Sequence, residues 1–287
     1  MSDAVLAARR GPGAESGLPE GRATSPRVVL IAHRGARIDL EGLASWLEHV
    51  FDLVGMVVLS EPPRRLLDRA RREVRRSGLL GFLDVLAFRA YYALALARPD
   101  GAWIEEEVGR LRSRHPADLG HVPRLDAASP NTAEVRAFIQ SLRPDIVIAR
   151  CKALLRPEVF EVPKYGTFVL HPGICPEYRN AHGCFWALAR RDLDRVGMSL
   201  LRVDRGVDTG PLYLQASCSY DEARDSHVVI QHRVVTANLD AISEALLSVC
   251  RGEPRPITTA GRSSAVWGQP RMSVYLRWKR AARKRSA

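Results

Sequence analysis

The sequence predicts an α/β fold: an open, mainly parallel twisted sheet with helices on both faces. Three observations predict it. Apolar runs of strand length recur at residues 27–32, 53–59, 146–149 and 167–170, and continuous apolar runs suit strands covered on both faces. Helix-like spacing lies between them, first as Leu40, Leu43, Leu47 and Val50, and a strand, helix, strand order implies a parallel pair with a right-handed crossover. Composition allows a sizeable core, with 46% hydrophobic and 26% charged residues among 287.

In chain order, residues 1–26 lack apolar periodicity and the continuous apolar segment of a secretory signal, so they read as a flexible leader. Residues 27–59 form the first strand, helix, strand unit. No GxGxxG follows the first strand, which removes the dinucleotide fingerprint. Residues 62–99 begin RRLLDRARREVRR and continue GLLGFLDVLAFRAYYALALA. The second half approaches membrane-spanning length, but Asp84 and Arg89 interrupt it. It reads as a helical insertion that covers the domain or a dimer face, with a membrane-surface helix as the alternative. A short helix over 104–112, a strand over 122–125 and a helix over 131–141 follow, the last with Asn131 as N-cap and Glu134 at the capping-box position. Strand-like 212–219 and one long helix over 226–250 complete a domain spanning 27–252.

The charge is unevenly placed. Nine of the 43 basic residues lie beyond Glu253, where no acid occurs; the 34 that remain face 32 acids. The segment 253–287 is therefore a basic tail interleaved with Trp267, Tyr275 and Trp278. Nucleic acid, anionic membrane and a solvated tail all stay open for it. The five cysteines form no CxxC pair, so neither a zinc site nor a disulfide framework is indicated. Reduced thiols and a cytoplasmic location are the expectation.

The chemistry concentrates in residues 144–212. The strand over 167–170 ends on His171-Pro172, which takes an imidazole out of the sheet at its carboxyl end, where open α/β sheets place ligands. A Gly/Pro/Asn-rich loop over 172–180 and an apolar helix-like run over 184–189 follow. A further extended run, 198–203, opens into Asp204-Arg205-Gly206-Val207-Asp208-Thr209-Gly210, a turn that holds an acid in place. A strand-end histidine and a loop aspartate are a minimal set for proton transfer.

Order and spacing together are more specific, and this region resembles the folate-dependent formyltransferases. The resemblance rests on Pro144-Asp145, on Gly166-Thr167-Phe168-Val169-Leu170-His171-Pro172, on Cys175-Pro176-Glu177-Tyr178-Arg179-Asn180 and on the Asp204–Gly210 turn. It implies a formyltransferase-like Rossmann-type fold. It also implies an enzyme that moves a formyl group from 10-formyltetrahydrofolate to the amine of a small molecule: an amino sugar, an amino acid or a biosynthetic intermediate. His171 would bind the developing oxyanion or relay the amine proton, and Asp208 would orient it. Ala153, Leu154 and Leu155 on one side and Asp204, Gly206 and Val207 on the other would flank the pterin. Val169 stands where the family's motif has Asn and cannot donate a hydrogen bond; losing one such donor costs about 2.7–4 kcal/mol in other enzymes. Asn180 and His182, then Arg150, are the polar groups considered for its role. Hydrolysis of the formyl donor, transfer of another one-carbon or acyl group, and a non-catalytic binding or assembly role stay open. A homodimer is compatible with the insertion. The sequence marks no metal site.

Overall fold

A computed structural model describes residues 25–60 and 64–286. Most of the leader segment lies outside the described residues. Seven strands form one sheet: β1 (Arg27–His33), β2 (Asp52–Leu59), β3 (Arg124–Ala127), β4 (Ile146–Arg150), β5 (Gly166–His171), β7 (Met198–Arg202) and β8 (Leu212–Ala216). Their spatial order is β3-β2-β1-β4-β5-β7-β8. The first five run parallel, and β7 and β8 are antiparallel additions at one edge. A separate two-residue parallel ribbon joins β6 (Arg179–Asn180) to β9 (Val266–Trp267).

The central strands are buried along almost their whole length, Val28 to Ala32 being fully inaccessible. Continuous apolar sequence is what a strand covered on both faces requires. Side-chain alternation then sorts the two covers. Phe168 and Leu170 of β5 join the larger core cluster, while Val169 points to the smaller cluster of Val29, Ile31, Val147, Leu155 and Val159. His171 lies two residues beyond Val169 and therefore leaves the sheet on the same side as it.

The larger cluster is covered by α1 (Ala44–Val50), α3 (Ala97–Arg114), α6 (Gly183–Arg190), α7 (His227–Thr236), α8 (Leu239–Cys250) and α9 (Met272–Ser286). The smaller one is covered by α4 (Ala133–Leu142) and the single turn α5 (Pro157–Phe160). A π-helical turn, Ile38–Leu43, leads into α1, and another, Tyr92–Leu96, joins α2 (Arg64–Tyr91) to α3.

Several elements differ from the sequence reading. Thr132, not Asn131, caps α4, its hydroxyl accepting from Val135 N at 3.2 Å. The expected long helix over 226–250 is two helices: α7 ends at Thr236 and α8 begins at Leu239, with Asn238 Nδ2 folding back on Val234 O at 2.8 Å. The 104–112 helix is the middle of the longer α3. The basic tail ends in a packed helix: Tyr275 and Trp278 of α9 are 3% and 2% exposed and Ala282 is fully buried. Burying one large apolar side chain contributes roughly 1.5–3 kcal/mol, enough to hold α9 on the body despite its charge. Lys279, also buried in α9, donates to the carbonyls of Glu222, Ala223 and Asp225.

Candidate active site

The site assembles at the carboxyl end of β5, where Pro172 stops the ladder. The His171 ring is buried. Its Nε2 lies 2.8 Å from the backbone carbonyl of Tyr178. A carbonyl oxygen can only accept, so Nε2 carries a proton and donates it there. Nδ1 faces the Asp208 carboxylate at 3.5 Å. The other nitrogen is thus aimed at an acid that would stabilise a proton placed on it.

The approach of the loop to the ring depends on glycine. A Cβ on Gly173 would meet His171 Nε2 and Tyr178 O at 2.7 Å and the Gly183 Cα at 2.9 Å. A Cβ on Gly183 would meet the Gly173 Cα at 2.6 Å. Two backbones therefore touch where any side chain would wedge them apart, and that contact delivers the Tyr178 carbonyl to the imidazole.

Asp208 is held in the left-handed region at φ 50°. Aspartate and asparagine tolerate this region better than other non-glycine residues. Its Oδ2 accepts the Asn180 backbone N–H at 2.7 Å. The loop before it is shaped by Asp204, whose carboxylate accepts from Gly206 N at 2.9 Å and from the Thr209 hydroxyl at 2.7 Å. Arg179 Nη1 donates to Val207 O at 3.1 Å and ties this loop to the 172–180 loop.

The second loop is braced from the far end of the chain. The Glu177 carboxylate forms a two-pronged pair with Arg262, at 3.0 and 2.7 Å. Trp267 Nε1 donates to Glu177 O at 2.8 Å, and its ring stacks on Tyr178 at 5.6 Å. The Arg262 guanidinium next to Glu177 keeps that carboxyl below its ordinary range against the opposing effect of burial. Residues beyond 253 read as a basic tail in the sequence, and nothing in the local pattern around Arg262 marks its partner 85 positions away.

The other residues singled out in the sequence fall as follows. The Asn180 side chain turns away to donate to Trp267 O at 2.5 Å, leaving its backbone N–H for Asp208. Arg150 pairs with buried Asp39 at 2.9 Å and also donates to Leu170 O. His182, at φ 58° before α6, packs its ring 5.7 Å from that of His227. Burial first, and the Lys152 charge second, push His182 down to about 4, with hydrogen bonds to Gln269 and Gln231 opposing. Both His182 and His227 leave Nδ1 buried without a partner. The pair His171–Asp208 is brought together, while Asn180 contributes backbone and His182 faces the helical layer. Val169 sits between Ala149 of β4 and Leu201 of β7 in an apolar setting.

Asn131 clamps the segment after β4. Its Nδ2 donates to Leu154 O at 2.8 Å and its Oδ1 accepts from Arg156 N at 2.8 Å. Leu155 is thereby packed into the core while Leu154 stays 63% exposed. Cys175 lies in the loop but is buried, and burial chiefly, with the Asp208 charge second, drives its thiol far up, which removes it as a nucleophile. Among the described residues no cluster of His, Cys, Asp and Glu could hold a metal ion.

An open sheet with a buried histidine and a loop aspartate at its carboxyl edge defines a site of the α/β enzyme class, with the ligand expected at the strand ends. The family model described as Formyl transferase matches residues 101–246, half of the chain, and the chain belongs to that family. It is similar to a methionyl-tRNA formyltransferase of Salinispora arenicola, 29% identical over 188 residues, covering 59% of this chain and 60% of the relative. It is also 36% identical over 81 residues to a methionyl-tRNA formyltransferase of Dehalococcoides mccartyi, covering 28% of this chain and 26% of that one. The chain thus spans between about a quarter and 60% of the length of these curated relatives. Among solved structures, a phosphoribosylglycinamide formyltransferase from Anaplasma phagocytophilum superposes with a TM-score of 0.50 at 13% identity, over 86% of this chain and all of that one, which shows the shared fold.

Proposed function

We propose that the chain transfers a formyl group from 10-formyltetrahydrofolate to the amine of a small molecule. The observation that carries this reading is the His171 ring, held between the Tyr178 carbonyl and the Asp208 carboxylate at the end of a sheet strand. Leu154 presents an exposed apolar side chain at the segment after β4, with Leu155 packed into the core behind it, and the 204–208 loop is shaped by the Asp204 carboxylate. Ala153, Leu154, Leu155, Asp204, Gly206 and Val207 would hold the donor, Asp204 through the loop shape it imposes. When bound, 10-formyltetrahydrofolate supplies the activated one-carbon group.

The chain's own residues supply the proton handling. With Nε2–H fixed on the Tyr178 carbonyl, only Nδ1 can gain or lose a proton during turnover. Asp208, fixed by the Asn180 N–H, keeps that proton close and offsets the charge of the ring that carries it. Asn180 acts here through its peptide group, while His182 packs toward the helical layer against His227. Acceptors without a macromolecular body suit a site whose loop is closed down by the 262–268 segment.

The test is a mass-shift assay with 10-formyltetrahydrofolate and a panel of amines. The expected result is one product heavier by a formyl group, lost in His171→Ala and in Asp208→Asn while both stay folded. Asn keeps the left-handed backbone at position 208 and removes only the charge. Near-parental turnover in either variant defeats the reading. A second reading rests on Val169: with no side-chain donor at that position, release of tetrahydrofolate and formate without any amine acceptor would identify a formyl-donor hydrolase, and a modified acceptor carrying a different group would identify another one-carbon or acyl transfer.

A further inference from the structure

The helical insertion carries a surface the transfer reaction does not use. In α2, Gly78 adopts φ 70° and ψ 173°, so the helix restarts at Leu79. From there Leu79, Leu80, Leu83 and Leu86 are 65%, 83%, 51% and 40% exposed, and Leu94 beyond them is 89% exposed. With each residue turning about 100°, Leu79, Leu80, Leu83, Leu86, Ala87 and Ala90 occupy one arc without a charge in it. The opposite arc, Val85 and Phe88, is buried, Phe88 packing on Tyr275, Phe185 and His227. The stretch Glu73–Arg114 is apolar enough over eighteen residues to cross a membrane, yet only 11% of that window is buried.

Crossing is excluded by the inner arc. Ser273 of α9 donates from N and Oγ to Asp84, at 2.9 and 2.5 Å, and Tyr275 packs on Phe88 and Tyr91. A span would have to strip these contacts. A helix that keeps one arc on its protein and offers the other to lipid lies in the plane of the interface.

The charge beside the stripe selects the occupant. The neighbouring α9 contains no acid, and Arg277, Arg280, Arg283 and Lys284 are exposed on it. Arg75 and Arg89 are exposed on α2 itself. A two-fold dimer through the leucines would set the same patch against itself and bring like charges together. An anionic bilayer accepts the leucines and neutralises the arginines at once.

We propose that the Leu79–Leu94 face of α2 and the basic face of α9 form one docking surface for an anionic bilayer. The full chain is tested by co-sedimentation with phosphatidylcholine vesicles, with and without about one-third phosphatidylglycerol. Partition is expected into the anionic vesicles only and should fall as salt rises. Leu80→Glu/Leu83→Glu and Arg277→Glu/Arg280→Glu/Lys284→Glu should each weaken it about tenfold or more, with the circular dichroism spectrum and the vesicle-free transfer rate unchanged. Equal partition into neutral and anionic vesicles, or none into either, overturns the proposal. So does a parent that ignores vesicles but is a dimer that Leu80→Glu/Leu83→Glu turns into a monomer. If a variant fails to fold, the parent's lipid preference and salt dependence still decide.

Discussion

Two imidazoles eleven positions apart bracket the same loop and live under opposite rules. His171 has both nitrogens addressed, one by a carbonyl and one by a carboxylate. His182 is surrounded by rings and amides, is pushed down to about 4, and leaves Nδ1 without a partner. The first environment fixes the ring between an acceptor carbonyl and a carboxylate. The second is built to keep a ring neutral at ordinary pH. Residue type is identical in the two places; what separates them is which backbone groups the loop presents, and that depends on the Gly173–Gly183 contact.

The largest effect is therefore expected from the glycine. Gly173→Ala would place its Cβ 2.7 Å from both members of the Nε2–H to Tyr178 carbonyl bond. Either the ring or the loop must shift, and a misplacement of about 1 Å near the chemistry costs on the order of a hundredfold in rate. The turnover number should fall by that order while the melting temperature falls by only a few degrees. An unchanged turnover number would mean that the carbonyl does not set the ring, and the contrast between the two histidines would lose its structural basis.

Both the legible and the illegible parts of the molecule bear on the next expectation. The strands were readable because a fully covered strand must be apolar at every position, and 27–32, 53–59 and 146–149 each lie within an observed strand. His171 and Asp208 were readable because proline and glycine punctuate the turns that present them. What escaped was non-local. The Tyr178 carbonyl is a backbone group with no signature of its own. Asn131 looked like a cap by position, but the chain uses Thr132 and spends the asparagine on a loop 23 residues away. The tail left nucleic acid, membrane and solvent all open because its charge dominates its composition, while Tyr275, Trp278 and Ala282 recur at the three- to four-residue spacing that packs one face. Asn180 offered an amide to replace the donor missing at Val169, but the parallel register with Trp267 takes that amide away. Position 169 is consequently left apolar, and Val169→Asn is the direct way to sharpen the point. If transfer is slowed by the absent donor, the variant should gain about ten- to a hundredfold in turnover number, at a stability cost of roughly 1–3 kcal/mol for an amide placed among Val29, Ile31 and Leu155. No gain, or a loss, would show that the reaction asks for no donor there and favours the altered chemistry.

The smallest effect concerns the buried pair and is read in stability alone. Burial pushes His227 well below its ordinary value, the nearby His182 and Lys279 adding to it, and burial pushes His232 down to about 4. A base held low in the folded state binds its proton more readily when unfolded. Its neutral form thus contributes fully above about pH 6.5, and stability is lost as pH falls from there toward 4. The melting temperature of the parent should drop across that window. His227→Phe replaces a ring that already packs on Phe88, Tyr92 and Phe185 by one that cannot be protonated. Its acid limb should be shallower than the parent's while the midpoint near neutrality moves little. An equally steep limb would assign the acid sensitivity to His182 and His232, and an altered transfer rate would couple the helical layer, where His227 packs against His182, to the His171–Asp208 pair.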